Sequence, residues 1–147
     1  MTKLTENFTL EELVQSEYAV RHGINNKPST TVVESLRQLA THILQPLRDR
    51  LGQPIGVTSG YRSVAVNSAI GGAAGSQHIK GEAADINCPA IGQQELFRKI
   101  RESGLPFDQL IDEFGSWVHV SYSTRHPSRH DVLKARKVNG VTKYTKA

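Results

Sequence analysis

The sequence predicts an α+β fold in which N-terminal helices pack on a small, mostly antiparallel sheet. In the first third of the chain, apolar residues recur at the 3.6-residue spacing of helices, whereas the second half changes to the period of two that strands show. A run of helices followed by a run of strands is typical of α+β proteins. The 147 residues are enough for one domain with a real core, so we expect a single domain over 1–147, with 123–147 as a basic C-terminal hairpin or tail.

The first predicted helix begins at a capping box, Thr9-Leu10-Glu11-Glu12. In such a box the threonine side chain caps the helix and the glutamate three residues later reaches back to the cap. This helix should run to about His22, with Gly23 as its left-handed stop.

A second, longer helix is predicted from Thr31, with Glu34 three residues later, to Gly52. Six apolar residues recur along it at helical spacing: Leu36, Leu39, Ala40, Ile43, Leu44 and Leu47. Pro46 falls within this pattern and should kink the helix or end it early, because proline lacks the amide hydrogen that a helix interior uses.

The second half of the chain combines short helices with strands. Helices are predicted over 64–70 and 92–103, the latter amphipathic with Leu96, Phe97 and Ile100 inward. Strands are predicted over 54–59, 83–87, 109–114, 117–122, 132–138 and 141–144. The last two strands flank Asn139-Gly140, the commonest signal of a two-residue hairpin turn.

Composition limits the classes to which the protein can belong. Hydrophobic residues make up 37% and charged residues 22%, which excludes a disordered chain, and no apolar run approaches the ~20 residues of a transmembrane helix. The N-terminus shows no basic region followed by an apolar stretch, so no secretory signal is expected. Cys88 is the only cysteine, which excludes an internal disulfide and a cysteine-based zinc site and favours a reducing cytoplasm.

The net charge of +4 is distributed unevenly along the chain. After Tyr122 a single carboxylate, Asp131, opposes seven basic residues: Arg125, Arg129, Lys134, Arg136, Lys137, Lys143 and Lys146. Such a tail could bind an anionic wall polymer, anionic lipid or nucleic acid, or it could be an edge hairpin that lysines keep soluble. No aromatic-rich nucleic-acid module accompanies the charge, so specific recognition of DNA or RNA is not expected.

Two histidines and an aspartate form the most informative pattern in the chain. His78 and Asp85 are separated by a glycine-containing loop, which lets both side chains converge from either side of a bend. His119 lies on a predicted strand, and a neighbouring strand could present Asp85 toward the same point. Two imidazoles and one carboxylate are a ligand set of catalytic zinc sites, which keep a fourth position for water. A hydrolase is therefore the leading interpretation.

The segments around these residues resemble a known family. Ser59-Gly60-Tyr61-Arg62-Ser63 precedes the segment from His78 to Asp85, and Trp117-Val118-His119 follows it. Together these motifs resemble the M15 family of zinc D-Ala-D-Ala peptidases, in particular its small phage endolysin-like members. The wider group includes lysostaphin-type enzymes and the hedgehog signalling domain. The resemblance covers about residues 8–122 and implies a hedgehog/DD-peptidase-like fold with His78, Asp85 and His119 as ligands of Zn²⁺.

A zinc peptidase also needs a general base, which takes a proton from water and passes it to the leaving amine. Asp112 and Glu113 are the candidates, and on a strand they face opposite sides, so only one can face the site. Many M15 enzymes carry the acid three residues before the last zinc histidine, where this chain has Ser116. Hedgehog-like members carry a glutamate six residues before it, at the position of Glu113, so the resemblance favours Glu113 over Asp112.

The resemblance implies further site residues. Arg62 is expected to hold the substrate or polarise its carbonyl, since an arginine fork binds carboxylates bidentately. Ser76 and Gln77 could hydrogen-bond the peptide beside the metal, and Tyr122 could line the cleft. The other histidines carry no ligand pattern and are expected on the surface or on helices: His22, His42, His126 and His130.

These observations predict a zinc-dependent metallopeptidase that hydrolyses peptide bonds in bacterial peptidoglycan, either endolysin-like or D,D-carboxypeptidase-like. The bond could be D-Ala-D-Ala, a D-Ala cross-link to a diamino acid, or L-Ala-D-Glu. The alternative is a zinc-bearing but inactive wall- or protein-binding module of the same fold, which Ser116 keeps open. We expect a monomer without membrane insertion, cytoplasmic as synthesised, which acts on the wall after membrane permeabilisation if it is a phage or prophage lysin.

Overall fold

The computed structural model describes residues 2–147. Its helices are α1 (Leu10–Val14), α2 (Glu17–His22), α3 (Thr30–Leu39), α4 (Gln45–Leu51), α5 (Val64–Ala69) and α6 (Gln93–Arg101), with a π-helical segment at Ala40–Leu44 and a 3₁₀ turn at Gln77–Lys80. Its strands are β1 (Gly56–Ser59), β2 (Ala83–Asn87), β3 (Gln109–Glu113), β4 (Trp117–Ser121), β5 (Asp131–Val138) and β6 (Val141–Lys146). The α+β class predicted from the sequence is confirmed.

All six strands form one sheet in the order β1-β2-β4-β3-β5-β6. Every neighbouring pair is antiparallel except β3 and β5, which are parallel. The predicted hairpin turn is present, because Asn139 and Gly140 both adopt positive φ angles (52° and 77°), as a type I′ turn requires. β6 is the edge strand next to this turn, so the C-terminal basic segment is an edge hairpin.

The two faces of the sheet have different roles, because residues directly opposite each other on paired strands point to the same face. One face packs against the helices and forms the core with Ala84, Ile86, Leu110, Val118 and Val120. From the helices, the core takes the apolar stripe predicted from Leu36 to Leu47 and also Leu96 and Ile100. The other face carries Asp85, His119 and Glu113, so the polar site lies on the side away from the helical core.

The predicted helix from Thr9 to His22 is wrong as a single helix. Its start is confirmed, since Thr9 and Glu12 form the capping box, and its end is confirmed by the left-handed Gly23 (φ 64°). Between them the chain leaves the helix at Gln15, which is extended, and Ser16 then caps α2 by accepting a hydrogen bond from the Ala19 amide (3.1 Å). Serine competes with helical hydrogen bonding in this way, which makes it a better cap than interior residue.

The second predicted helix differs from expectation at its start and around Pro46. Ser29, rather than Thr31, lies before it as the cap, with its side chain accepting from the Val32 amide (3.2 Å). The helical run does not end early at Pro46 but reaches Leu51 before the left-handed Gly52. The π-helical segment ends at Leu44, two residues before Pro46, and a wider turn at this place accommodates a residue that lacks an amide donor.

No helix among residues 2–147 is long and apolar enough to cross a membrane. Cys88 is a buried free thiol within the core.

Candidate metal centre and active-site cleft

Three side chains converge on one point of the open sheet face. Asp85 on β2 lies directly opposite His119 on β4, and His78 approaches from the 3₁₀ turn before β2. Oδ1 of Asp85 is 3.3 Å from Nε2 of His78 and 3.1 Å from Nδ1 of His119. The donor atoms of the three residues all lie within 4.8 Å of one another, and no other such group of three or more occurs in residues 2–147.

His78 is oriented by the chain segment that follows β1. Its Nδ1 donates to the carbonyl of Gly60 (2.7 Å), which leaves Nε2 free toward Asp85. Gly60 is required here because a Cβ at this position would lie 2.2 Å from the carbonyl oxygen of Leu13. A metal-binding histidine commonly donates its second ring nitrogen to a carbonyl in this way. The glycine of the Ser59–Ser63 motif therefore sets the distance between the α1 segment and His78.

The turn from His78 to Asp85 depends on a second glycine. Gly81 ends the 3₁₀ turn in the left-handed conformation (φ 72°), and a Cβ there would lie 2.9 Å from atoms of Val32 on α3. Ser76 caps the same turn by accepting from the His78 amide (3.2 Å). The loop thus packs tightly on a helix, which fixes His78 relative to the strand that carries Asp85.

The residues at this point fit a zinc ion. Two imidazole nitrogens and a carboxylate oxygen provide the three protein ligands of a catalytic site. Burial would raise the pKa of Asp85, but the neighbouring His78 and His119 outweigh it and hold the pKa well below its usual range. The carboxylate is therefore ionised at neutral pH, as a metal ligand must be.

Glu113 faces the metal ligands from the same side of the sheet. It lies on β3, which pairs with β4, and it is 9% exposed within a cleft that also contains His78, Asp85 and His119. Burial raises the pKa of Glu113 and outweighs the opposing effect of His119 and Arg62, while the charges of Asp85 and Asp112 add to the increase. A raised pKa brings a carboxylate closer to the range in which it can both accept and return a proton.

Asp112 points to the opposite face, as the strand period predicts. Its Oδ2 is 3.0 Å from Nη2 of Arg136, and its Oδ1 accepts from Nε2 of Gln93 (2.7 Å). These partners lie on β5 and α6, away from the cleft. Ser116 is exposed in the turn between β3 and β4 and lies outside the cleft. Of the two candidate bases, only Glu113 can reach the metal ligands, and its catalytic role stays a prediction.

Arg62 lies in the cleft between β1 and α5. Its amide donates to the carbonyl of His78 (3.1 Å), and its Nη2 is 3.4 Å from Oγ of Ser76. Burial lowers the pKa of Arg62, and the negative charges of Asp85 and Glu113 oppose that shift. Nε of Arg62 has no acceptor among the described residues. The guanidinium is thus held beside the metal ligands, and its Nε–H group remains available to donate a hydrogen bond to a substrate.

Two of the three predicted substrate contacts line the cleft, and the third does not. Ser76 lines the cleft, as does Gln77, but the amide nitrogen of Gln77 already donates to the buried Asp108 (3.0 Å to Oδ2). Tyr122 is not in the cleft: its ring stacks on His42 (centroids 4.7 Å apart), so the prediction that it lines the cleft is wrong. The reason is the strand period, which turns the residue after the end of β4 toward the helices.

Two arginines after β4 neutralise buried acids rather than extending a free basic surface. Arg125 contacts Glu82 (Nε to Oε2, 2.8 Å), and Arg129 contacts Asp108 (Nη2 to Oδ2, 2.8 Å). Burial would raise the pKa of Asp108, but Arg129 lowers it to about 2. The first pair ties the 122–130 loop to the residue that follows the His78 turn. The second ties the loop to the residue before β3, whose carboxylate also accepts a hydrogen bond from Gln77. His126 and His130 belong to no group of three or more candidate ligands among residues 2–147.

Several cleft residues were not predicted from the sequence. The cleft has a volume of about 560 Å³ and is bounded by the glycine-rich loop at 71–75. The others share a position on the open sheet face or at its rim: Gln109, Ile111, Trp117, Arg129, Leu133 and Tyr144. Alternation along β3 would have indicated Ile111 beside Glu113. No local signal identifies Leu133 and Tyr144, because their position depends on the pairing of β5 with β3.

Comparison with known proteins identifies the family to which this chain belongs. A family model described as Peptidase M15 matches residues 6–121, which include all of the converging side chains. A zinc D-Ala-D-Ala carboxypeptidase of Streptomyces albus G is 42% identical over 99 residues, which are 67% of this chain and 38% of that protein. The match thus spans less than half of the length of that relative. On the family match, which covers most of the chain, this protein belongs to the peptidase M15 family.

Proposed function

We propose that this protein is a zinc-dependent peptidase that hydrolyses peptide bonds in the stem peptides or cross-links of bacterial peptidoglycan. The observation that carries the proposal is the approach of Nε2 of His78 and Nδ1 of His119 to one carboxylate oxygen of Asp85, with Glu113 in the same cleft. The related Streptomyces protein is named for D-Ala-D-Ala cleavage, which supports a wall peptide as the substrate class.

In this mechanism His78, Asp85 and His119 hold the zinc ion. When bound there, zinc would supply a Lewis acid that makes water easier to deprotonate and polarises the scissile carbonyl. Glu113 takes one proton from the attacking water as the water oxygen bonds to the scissile carbonyl carbon. The same carboxyl group returns that proton to the amine nitrogen as the C–N bond breaks, so no other proton donor is required. Arg62 orients the substrate by donating hydrogen bonds to its carbonyl or carboxylate oxygen.

The alternative, an inactive zinc-bearing binding module, rested on the serine at position 116. The location of Glu113 in the cleft supports the enzyme instead, because a carboxylate is available from another position on the same strand pair. We further propose an endolysin-like role, with synthesis in the cytoplasm and action on the wall once the membrane has been permeabilised.

Digestion of purified peptidoglycan tests the function. Incubation with the zinc-loaded protein should release peptides with new amino and carboxyl termini, and mass spectrometry of these products identifies which stem or cross-link bond is cut. The matched control is the same protein carrying Glu113→Gln. Zinc-loaded wild type that leaves every stem and cross-link bond intact would favour the binding module.

The basic hairpin gives a separate prediction about wall binding. Lys134, Lys137 and Lys143 are exposed and take part in no salt bridge within the described residues, whereas Arg136 pairs with Asp112. Changing these three lysines to glutamate should weaken binding to the anionic wall by about tenfold or more at low salt and flatten its salt dependence. Turnover of a small soluble stem peptide should barely change, because none of the three lines the cleft.

A cosedimentation assay with purified wall at several salt concentrations measures this effect. The control carries glutamate at Lys3, Lys27 and Lys99, which gives the same change in net charge at exposed positions outside the hairpin. Equal wall binding by the two triple variants would mean that the lysines serve only to keep the edge hairpin soluble.

A further inference from the structure

The C-terminal hairpin, β5 and β6, completes the active-site cleft. It lies beyond residues 6–121, the stretch that the family model matches. Nevertheless Leu133 of β5 and Tyr144 of β6 line the same cleft as Asp85, Glu113 and His119. The parallel pairing of β3 with β5 brings the hairpin beside the site. This segment therefore adds a wall to the cleft that the matched region does not supply.

Strand register aligns Tyr144 with Glu113. Glu113 is paired with Ala135 across β3 and β5, and Ala135 is paired with Tyr144 across β5 and β6. The three side chains therefore point to the same face of the sheet, in one row. Two strand spacings separate the backbones of Glu113 and Tyr144 by about 10 Å. Ala135 between them is fully buried and small, which leaves the space above it for the tyrosine ring.

Tyr144 has a hydroxyl group that is available for a hydrogen bond to a ligand. Tyr144 is 57% exposed although it borders the cleft, and its hydroxyl makes no hydrogen bond to any residue from 2 to 147. Partial burial together with the charges of Glu113 and Asp85 raises the pKa of Tyr144. The phenol thus keeps its proton throughout the neutral range and is available as a donor.

We propose that Tyr144 is a substrate-contacting residue, whose phenol O–H donates a hydrogen bond to the scissile peptide group on the Glu113 side of the cleft. Its ring covers the substrate there, opposite Arg62, which approaches from the β1 side. The scissile peptide is thereby held between donors from the two ends of the sheet. This inference rests on the proposed peptidase function, because the contact is defined by the peptide bond that is cut.

The test compares Tyr144→Phe with wild type on a soluble stem pentapeptide that ends in D-Ala-D-Ala. Loss of the hydroxyl should lower kcat/KM by about tenfold to a hundredfold, the range expected for one hydrogen bond that strengthens in the transition state. Zinc content and thermal midpoint should match wild type, because the removed hydroxyl has no hydrogen-bond partner among residues 2–147. Tyr18→Phe is the matched control, since Tyr18 is a tyrosine on α2 outside this cleft. Wild-type kcat/KM in Tyr144→Phe would overturn the proposal.

A binding measurement separates this proposal from the proposed function. Calorimetric titration of the same pentapeptide into Glu113→Gln and into Glu113→Gln/Tyr144→Phe reports substrate contact without turnover. Weaker binding by the double variant supports the Tyr144 contact even if wild type fails to cleave this peptide, a failure that would count against the function alone. Equal binding by both variants contradicts the Tyr144 contact. The peptidase function is then tested by the peptidoglycan digestion alone. A peptide that neither binds nor is cleaved contradicts both for this substrate class.

Discussion

The double variant His78→Ala/His119→Ala should bind no zinc and show no peptidase activity. Wild type is expected to carry about one zinc per chain, because three protein ligands and one water are the simplest use of the converging donors. Removing both imidazoles leaves Asp85 as the only ligand, and a single carboxylate cannot hold zinc against a metal-free buffer. Elemental analysis of the purified protein measures the metal, and stem-peptide hydrolysis measures the activity.

The control for this experiment is His126→Ala/His130→Ala, which removes the same number of histidines outside the cluster. It should keep its zinc and its activity. Circular dichroism of all three proteins distinguishes loss of metal from loss of fold. Stoichiometric zinc in the His78/His119 double variant would contradict the ligand assignment, because no other group of three or more candidate ligands occurs in residues 2–147.

Glu113→Gln should reduce peptide hydrolysis by ~10²–10⁴-fold, the usual loss when a positioned general base is removed. Glutamine keeps the size of the side chain and its capacity for hydrogen bonds, but it cannot accept the proton of water. Zinc content and folding should be unchanged, because Glu113 is not one of the three converging ligands. Steady-state rates on a soluble stem peptide, normalised to bound zinc, measure the effect.

Asp112→Asn is the matched control on the neighbouring residue. Its side chain contacts Arg136 and Gln93 on the other face of the sheet, so turnover should change little. If Asp112→Asn abolished hydrolysis while Glu113→Gln did not, the base would be Asp112. The assignment of which β3 side chains point into the cleft would then be wrong. If an active enzyme tolerated both changes, the carboxylate would have to come from elsewhere in the chain.

Much of the candidate site was predictable from local sequence. The distance between His78 and Asp85 is set by a short turn, and that turn needs glycine at position 81 because of its left-handed backbone and its contact with α3. Alternation along β3 predicted that Asp112 and Glu113 face opposite sides, which they do. These features depend on neighbours within a few residues, so the pattern of the chain carries them.

Other elements were not predictable because competing local preferences were close in energy. The first helix pattern gave no sign that Ser16 would interrupt it, since a serine can occupy a helix interior or a cap. Likewise, Pro46 has two outcomes in a helix, a break or a locally widened turn, and packing of the apolar stripe on the sheet favours the continuous run seen here.

The sequence determined the α+β class and the hairpin at Asn139-Gly140. With the family resemblance, it also indicated His78, Asp85 and His119 as metal ligands and Asp112 or Glu113 as the base. Only the tertiary structure decided that Tyr122 turns away to His42 and that Tyr144 enters the cleft. The physical reason is that a period of two specifies which residues of one strand share a face, but not which strand lies beside it. The parallel pairing of β3 with β5 is such a long-range choice, and it brings the C-terminal hairpin to the site.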